Sequence, residues 1–193
     1  MQISKQNQKA FTLVTCLTMS RIPLSVLAYR EMSVGRISII PYLLLFFVIA
    51  ASDFVDGKAA RFFCVQSNFG AAADVLCDFF YIMASCYALY RQEIFPLWMM
   101  ILITVKLAEF ITTSRAIQSR DDRRHIFTFD YIGRYTAVGF YALPTAIFIL
   151  NRMLPADAFS KISDTLYAIL LFFSVLSSAS RIGAIMIRKA YVL

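Results

Sequence analysis

The chain is poor in the charged residues that cover the surface of a soluble protein. Charged side chains make up 16% of its 193 residues, against roughly 25% in ordinary globular chains. Hydrophobic residues make up 60% of the sequence. This balance excludes an ordinary soluble domain and is typical of a polytopic helical membrane protein. At this length we expect a single domain that spans residues 1–193.

Several functional motifs are also missing. There is no GxxxxGK[ST] segment, so we do not expect a nucleoside triphosphate bound by a P-loop. The net charge of +7 is not accompanied by a basic face with interleaved aromatic residues on a soluble fold, so we expect no nucleic-acid partner. No two cysteines form a CxxC pair, and we interpret all four as small buried hydrophobes. They are Cys16, Cys64, Cys77 and Cys86.

The apolar residues form six long segments. No small-residue cleavage site follows the first of them, and Arg21 interrupts it, so we expect this segment to be retained rather than removed as a signal peptide. A transmembrane helix needs roughly 17–25 residues. The predicted fold class is therefore all-α, a polytopic membrane protein with six transmembrane helices. The predicted spans are 10–29, 37–60, 69–90, 94–114, 132–150 and 164–187.

Lysine and arginine are distributed unevenly between the two ends of these spans. Twelve lie on one side and five on the other, and the side rich in basic residues normally faces the cytoplasm. We therefore expect both termini, the charged loop Gln118–Asp130 and the site described next to be cytoplasmic. The twelve are Lys5, Lys9, Lys58, Arg61, Arg115, Arg120, Arg123, Arg124, Arg134, Arg181, Arg188 and Lys189, and the five are Arg30, Arg36, Arg91, Arg152 and Lys161.

Four aspartates stand in an otherwise apolar stretch. An ionisable residue in a membrane segment costs about 2.5–3.5 kcal/mol on insertion scales, so four together indicate a function. Asp53 and Asp56 are three residues apart, and Asp74 and Asp78 are four apart. On helices, each pair lies on one face. Two such faces joined by a short connection can converge on divalent cations, which bind oxygen ligands.

The residues between the aspartates suit a phosphate ligand. Gly57 and Gly70 remove side chains where a ligand or another backbone must approach closely. Arg61 lies about one turn beyond Asp56 and can meet a phosphate, and Lys58 adds positive charge nearby. Carboxylates, hard cations and a phosphate-binding cation are the components that chemistry at a pyrophosphate requires.

The spacing of these residues resembles the signature of the CDP-alcohol phosphotransferase family. The pattern DxxDGxxARx8GxxxDxxxD matches at each of its eight specified positions between Asp53 and Asp78. The resemblance implies that two divalent cations, Mg²⁺ or Mn²⁺, bind to the aspartates, and that Asp78 is the general base for the acceptor hydroxyl. It also implies a site for the cytidine diphosphate. Its residues would be Asp53, Gly57, Ala60, Arg61 and Gly70, and the metal ligands would be Asp53, Asp56, Asp74 and Asp78.

The resemblance also implies a reaction and its partners. An alcohol would attack the β-phosphorus of CDP-diacylglycerol and release CMP, as in bacterial phospholipid biosynthesis, with membrane lipid as the setting. A homodimer in the cell inner membrane is the expected state. The segment Gly133-Arg134-Tyr135-Thr136 resembles the GKxxT pattern of phosphatidylglycerophosphate synthases, with arginine in place of lysine and the threonine one position earlier. This resemblance makes glycerol 3-phosphate the first acceptor to consider. Inositol phosphate, serine and other alcohols stay open.

Two functions of a different class would also place aspartates within a membrane segment. An ion or substrate transporter needs intramembrane acids, but such transporters tend to have two related halves with matching broken helices. The sequence shows no such repeat. A purely structural carboxylate network would need several buried basic partners.

Four arginines outside the motif are candidates for contacts at the site. Arg21 lies in a segment similar to the LTxxRI pattern of lipid-forming members, and it either extends to the membrane interface or supports the nucleotide or the acidic cluster. Arg115, Arg134 and Arg181 lie near cytoplasmic helix ends. Each could be an anchor set by the positive-inside rule, whereas convergence of all three would make a pocket for a phosphorylated acceptor.

Three remaining polar or aromatic positions have simpler interpretations. Lys106 and Glu109 are three residues apart within the fourth span, and we expect them to neutralise each other. His125 lies in the charged loop without metal-ligand partners, so we expect it to be solvated. Trp98 follows Pro96 at the outer end of the fourth span and is predicted to anchor the helix at the interface.

Overall fold

A computed structural model of the chain describes the backbone of residues 5–34, 38–62, 68–118 and 131–190, and the side chains within 15–34, 38–55, 70–113 and 132–183 together with residues 58 and 62. All regular structure in these ranges is α-helical, which confirms the all-α prediction. There are six helices in the described residues: α1 Lys5–Val34, α2 Ile39–Phe62, α3 Asn68–Tyr90, α4 Leu97–Gln118, α5 Tyr131–Met153 and α6 Ala156–Ala190.

Three of the helices are long and apolar enough to cross a membrane within the described ranges. These segments are Gly70–Tyr90, Ile132–Met153 and Ala156–Gly183, and a shorter apolar segment is Ile39–Val55. Large apolar side chains such as Phe172 and Val175 of α6 lie exposed, as expected where lipid rather than water covers a helix. An integral membrane protein follows from this pattern. Six spans stay a prediction.

The last helix begins earlier than the hydropathy indicates. Residues 164–187 are the predicted span, whereas α6 starts at Ala156 and is separated from α5 only by residues 154–155. Pro155 precedes the first turn and Asp157 lies within it, where a carboxylate interacts favourably with the positive end of the helix dipole. The first two turns carry Asp157, Ser160, Lys161 and Ser163 among their apolar residues, which lowers their hydropathy relative to the rest of the helix.

The described residues divide into two compact units, Met1–Glu93 and Ile94–Leu193. In the first unit, α1 packs against both α2 and α3. The buried face of α1 repeats every three or four residues and is largely polar or small. Its buried residues are Thr18, Arg21, Ser25, Ala28 and Met32.

The spacing of the buried face of α1 explains why one prediction about the cysteines is wrong. Cys77 and Cys86 are buried, as predicted, but Cys16 is exposed because it falls outside the three- and four-residue spacing of that face. Cys64 lies outside the described residues.

In the second unit, α6 packs against α4 and α5. Helices α5 and α6 lie close together at Gly139 of α5, where an added Cβ would lie 2.6 Å from Cδ2 of Leu170 in α6. Near the start of α4, the ring of Trp98 meets that of Tyr167 edge-on with centroids 5.9 Å apart. This contact packs Trp98 against α6 while leaving it 47% exposed, which is compatible with the predicted interfacial position.

The predicted pairing of Lys106 with Glu109 is confirmed and extends to α6. Lys106 Nζ donates to Glu109 Oε2 at 2.9 Å, to the Ser174 carbonyl oxygen at 3.1 Å and to Ser178 Oγ at 2.9 Å. Ser178 Oγ donates to the same carboxylate oxygen of Glu109 at 2.7 Å. All three ammonium donors of Lys106 are thus used within an apolar helix pair.

We expect Lys106→Met to destabilise the protein by about 3 kcal/mol, because it leaves the carboxylate of Glu109 without its counter-ion in a largely buried position. Unfolding in mixed micelles should show the loss. The double variant Lys106→Met, Glu109→Gln should recover part of it, since neither charge then remains. The matched control is Lys161→Met, at an exposed position of α6, which should change stability by less than about 0.5 kcal/mol. Equal losses of stability in Lys106→Met and Lys161→Met would contradict the interpretation of Lys106 and Glu109 as a buried pair.

Candidate functional site

The guanidinium of Arg21 joins three carboxylates from two helices. Its Nη1 donates to Asp53 Oδ1 and to Asp78 Oδ1, each at 2.9 Å, and its Nη2 donates to Asp74 Oδ1 at 2.8 Å. Asp53 belongs to α2, whereas Asp74 and Asp78 belong to α3. We call these four residues the Arg21 cluster. It links α1 to both of its neighbours.

Helix periodicity is the reason that the two carboxylates of α3 reach the same cation. Asp74 and Asp78 are four residues apart, so their side chains lie one above the other on one face. Three of the four motif aspartates therefore lie together around the guanidinium of Arg21. Their convergence on divalent cations stays a prediction. The side chain of Asp56 lies outside the described residues, although its backbone is part of α2. Of the two roles considered for Arg21, the structure supports a contact with the acidic cluster.

Thr18 is a further member of the site to which the sequence assigned no role. Its Oγ1 donates to Asp74 Oδ1 at 3.1 Å, so this carboxylate oxygen accepts hydrogen bonds from two residues of α1. Thr18 precedes Arg21 by three residues and shares its face. Ser25, one turn after Arg21, donates to the Arg21 carbonyl oxygen at 2.7 Å. Two signals in the sequence point to Thr18: it is the threonine of the LTxxRI-like segment, and the polar residues of α1 recur at helical spacing.

The cluster is asymmetric in exposure. The Arg21 side chain is 1% exposed, whereas those of Asp53, Asp74 and Asp78 are 47%, 36% and 33% exposed. The guanidinium of Arg21 therefore lies in the interior, behind the carboxylates, and the carboxylates face outward. A ligand that approaches from outside meets the aspartates first.

The donor set of the cluster suits a hard divalent cation. With all three carboxylates ionised, the Arg21 cluster carries two more negative charges than positive ones. Carboxylate oxygens are the ligands that Mg²⁺ and Mn²⁺ prefer. In the described side chains, however, no group of three acidic, cysteine or histidine residues has the arrangement of a metal site. The three carboxylates are instead gathered around the guanidinium of Arg21.

The other predicted nucleotide-binding positions lie on both sides of the α2–α3 connection. Gly70 is in the first turn of α3 and half-buried. Gly57, Ala60 and Arg61 belong to the α2 backbone, and their side chains fall outside the described set. Lys58 is exposed, and its Nζ lies 4.4 Å from the centroid of the Phe54 ring, so it contacts its own helix here.

The predicted acceptor arginines differ in their surroundings. Arg181 of α6 is buried, its Nη1 donates to Thr113 Oγ1 at 2.7 Å, and its guanidinium lies 4.8 Å from the centroid of the Phe110 ring. Arg134, in the first turn of α5, is exposed. The side chain of Arg115, like His125 and most of the charged loop, lies outside the described residues. Convergence of the three arginines on one pocket stays a prediction.

The sequence matches the model of a known protein family. The family model for CDP-alcohol phosphatidyltransferases matches residues 11–192, nearly the whole chain. No individual characterised protein matches the sequence at a significant level.

Proposed function

The chain belongs to the CDP-alcohol phosphatidyltransferase family, and we propose that it transfers a phosphatidyl group from CDP-diacylglycerol to glycerol 3-phosphate. The family consists of transferases that use CDP-alcohols. The observation that carries the proposal is the placement of Asp53, Asp74 and Asp78 side by side and facing outward. In the proposed reaction the acceptor oxygen bonds to the β-phosphorus, and the bond from that phosphorus to the bridging oxygen of CMP breaks.

The family is generally dependent on divalent metal. Asp53, Asp56, Asp74 and Asp78 would hold two cations, Mg²⁺ or Mn²⁺, which neutralise charge on the pyrophosphate oxygens. Asp78 is proposed to take the proton of the acceptor hydroxyl. Gly57, Ala60, Arg61 and Gly70 would frame the cytidine diphosphate.

Glycerol 3-phosphate is the proposed acceptor because arginines recognise phosphate well. Guanidinium groups form bidentate hydrogen bonds with phosphate oxygens. Arg181 is held in place by Thr113 and Phe110, which lowers the entropy lost when it binds a ligand. Arg134 and Arg115 would supply the remaining positive charge. Inositol phosphate offers the same phosphate group, whereas serine offers none.

We further propose a membrane arrangement in which all six helices span the bilayer. The protein would lie in the cell inner membrane. Both termini and the aspartates would face the cytoplasm, because twelve basic residues lie on that side and five on the other. The cytoplasmic side is where CDP-linked and phosphorylated substrates occur. A homodimer is the proposed assembly.

We expect purified protein to release CMP from CDP-diacylglycerol and to form phosphatidylglycerophosphate, identified by mass spectrometry against a panel of acceptors. Asp53→Asn, Asp56→Asn, Asp74→Asn and Asp78→Asn should each lower CMP release at least about 100-fold, because metal binding or proton transfer is lost. Excess chelator should have the same effect. Asp164→Asn, at an exposed position of α6, is the matched control and should retain activity. Full activity in chelator, or in Asp78→Asn, would refute the proposed reaction.

The proposed orientation predicts the reactivity of single cysteines. In a variant whose four native cysteines are replaced by alanine, Ser119→Cys should resist a membrane-impermeant thiol reagent in intact cells and react after the cells are opened. Ser160→Cys, on α6 near its connection to α5, is the matched control and should react in intact cells. The reverse pattern would place the aspartates on the outside of the cell.

The acceptor proposal predicts separate effects on the two substrates. Arg115→Ala, Arg134→Ala and Arg181→Ala should each raise the acceptor KM about 10- to 100-fold, since each removes a charge-assisted contact with phosphate. The KM for CDP-diacylglycerol should change much less. Arg134→Lys should be the mildest change, because the GKxxT pattern that this segment resembles has lysine at the same position. Arg152→Ala, an exposed arginine of α5, serves as the control. Normal acceptor KM values in all three alanine variants would make the arginines topology anchors.

A further inference from the structure

We propose that Arg21 is a positioning residue that stays bonded to Asp53, Asp74 and Asp78 while divalent cations occupy the site. In this arrangement Arg21 is a permanent inner cation, and the bound metal approaches the same carboxylates from the outer side. In the alternative arrangement, Arg21 binds the aspartates only while no metal is present, and the metal displaces it. The proposal rests on the proposed function only in taking these aspartates as metal ligands.

The exposure pattern favours permanent contact. Arg21 is 1% exposed, whereas each of its three partners is at least 33% exposed. A cation that arrives from outside therefore does not need to pass through the position of the guanidinium. If a metal ion displaced Arg21, the side chain would have to leave its buried position between α1, α2 and α3 or remain there without its partners. A buried unpaired charge is strongly destabilising.

The hydrogen-bond geometry points the same way. The bonds from Arg21 to Asp53, Asp74 and Asp78 each end on the Oδ1 atom of the aspartate. A carboxylate has two oxygens with about four acceptor positions in all, so it can accept from a guanidinium and ligate a metal at the same time. Partners that orient metal ligands in this way are a regular feature of metal sites.

The shape of the side chain matters as much as its charge. Arginine is always protonated and presents five donors in a rigid planar fork, so its two terminal nitrogens can bond to three carboxylates in fixed directions. A lysine ammonium is a single point on a flexible chain. Without the guanidinium, the like charges of the three aspartates would repel one another and their side chains would separate.

Thr18 provides a second, weaker constraint from the same face of α1. Its hydroxyl donates to the oxygen of Asp74 that also accepts from Arg21 Nη2. Thr18 is buried, so replacing it by valine keeps the volume and removes its hydrogen bond to Asp74. This variant tests the positioning role without removing a charge.

The test measures Mn²⁺ binding directly by electron paramagnetic resonance on detergent-purified protein, with no substrate present. Arg21→Gln and Arg21→Lys should each weaken Mn²⁺ binding about 10- to 100-fold, as substitutions of such orienting residues do. Thr18→Val should weaken it about two- to tenfold, in line with the loss of one hydrogen bond. Arg30→Gln, an exposed arginine on the same helix, should leave the affinity unchanged.

Opposite changes in affinity separate the two arrangements. If Arg21 competes with the metal, its replacement by glutamine tightens Mn²⁺ binding, and this result would overturn the proposal. Unchanged affinity in both Arg21→Lys and Thr18→Val would overturn it as well. Should Arg21→Gln fail to fold, these two variants decide the question.

A second readout needs no metal. In excess chelator, the unfolding temperature of Arg21→Lys should fall by several degrees relative to Arg30→Gln, because the carboxylates lose a shared partner. An unchanged value would count against the positioning role. Both readouts are independent of turnover. A protein that binds Mn²⁺ with the expected dependence on Arg21 but forms no product from CDP-diacylglycerol would refute the proposed function alone.

Discussion

The ionic contact between one buried guanidinium and three carboxylates is the constraint on which the first unit depends. Burial of Arg21 in an apolar environment is costly unless the charge is paired. The pairing requires that α2 and α3 present their aspartates toward the same point of α1. Satisfying this one cation ties α2 and α3 to the same place on α1 and gathers the three aspartates there.

The second unit solves the same problem with a different charge balance. Lys106 and Glu109 bring one charge of each sign, and Ser178 completes the hydrogen bonds from α6. This group is neutral and mostly buried. The Arg21 cluster has an excess of negative charge when its carboxylates are ionised, and those carboxylates are open to the outside. A neutral buried pair stabilises helix packing, whereas an open group with excess negative charge is suited to bind a cation.

Much of the fold could be predicted from the sequence because hydrophobic segments and helical spacing are local properties. All six helices were expected in the right order, and the aspartates fell on α2 and α3 as their intervals indicated. Errors arose where polarity concealed structure. The first turns of α6 include Asp157 and Lys161. The buried face of α1 includes Thr18, Arg21 and Ser25, which hydropathy does not distinguish from an exposed face.

The sequence by itself determined the class of protein, the helices and the family, because composition, segment length and motif spacing are written in linear order. It also determined which aspartates share a helical face, since helix periodicity is the same in every protein. Only the tertiary structure decided that Arg21 belongs with Asp53, Asp74 and Asp78 and that Thr18 joins them. These partners lie 32 to 57 residues apart along the chain. Contacts over such separations depend on how helices pack, and no local pattern encodes that.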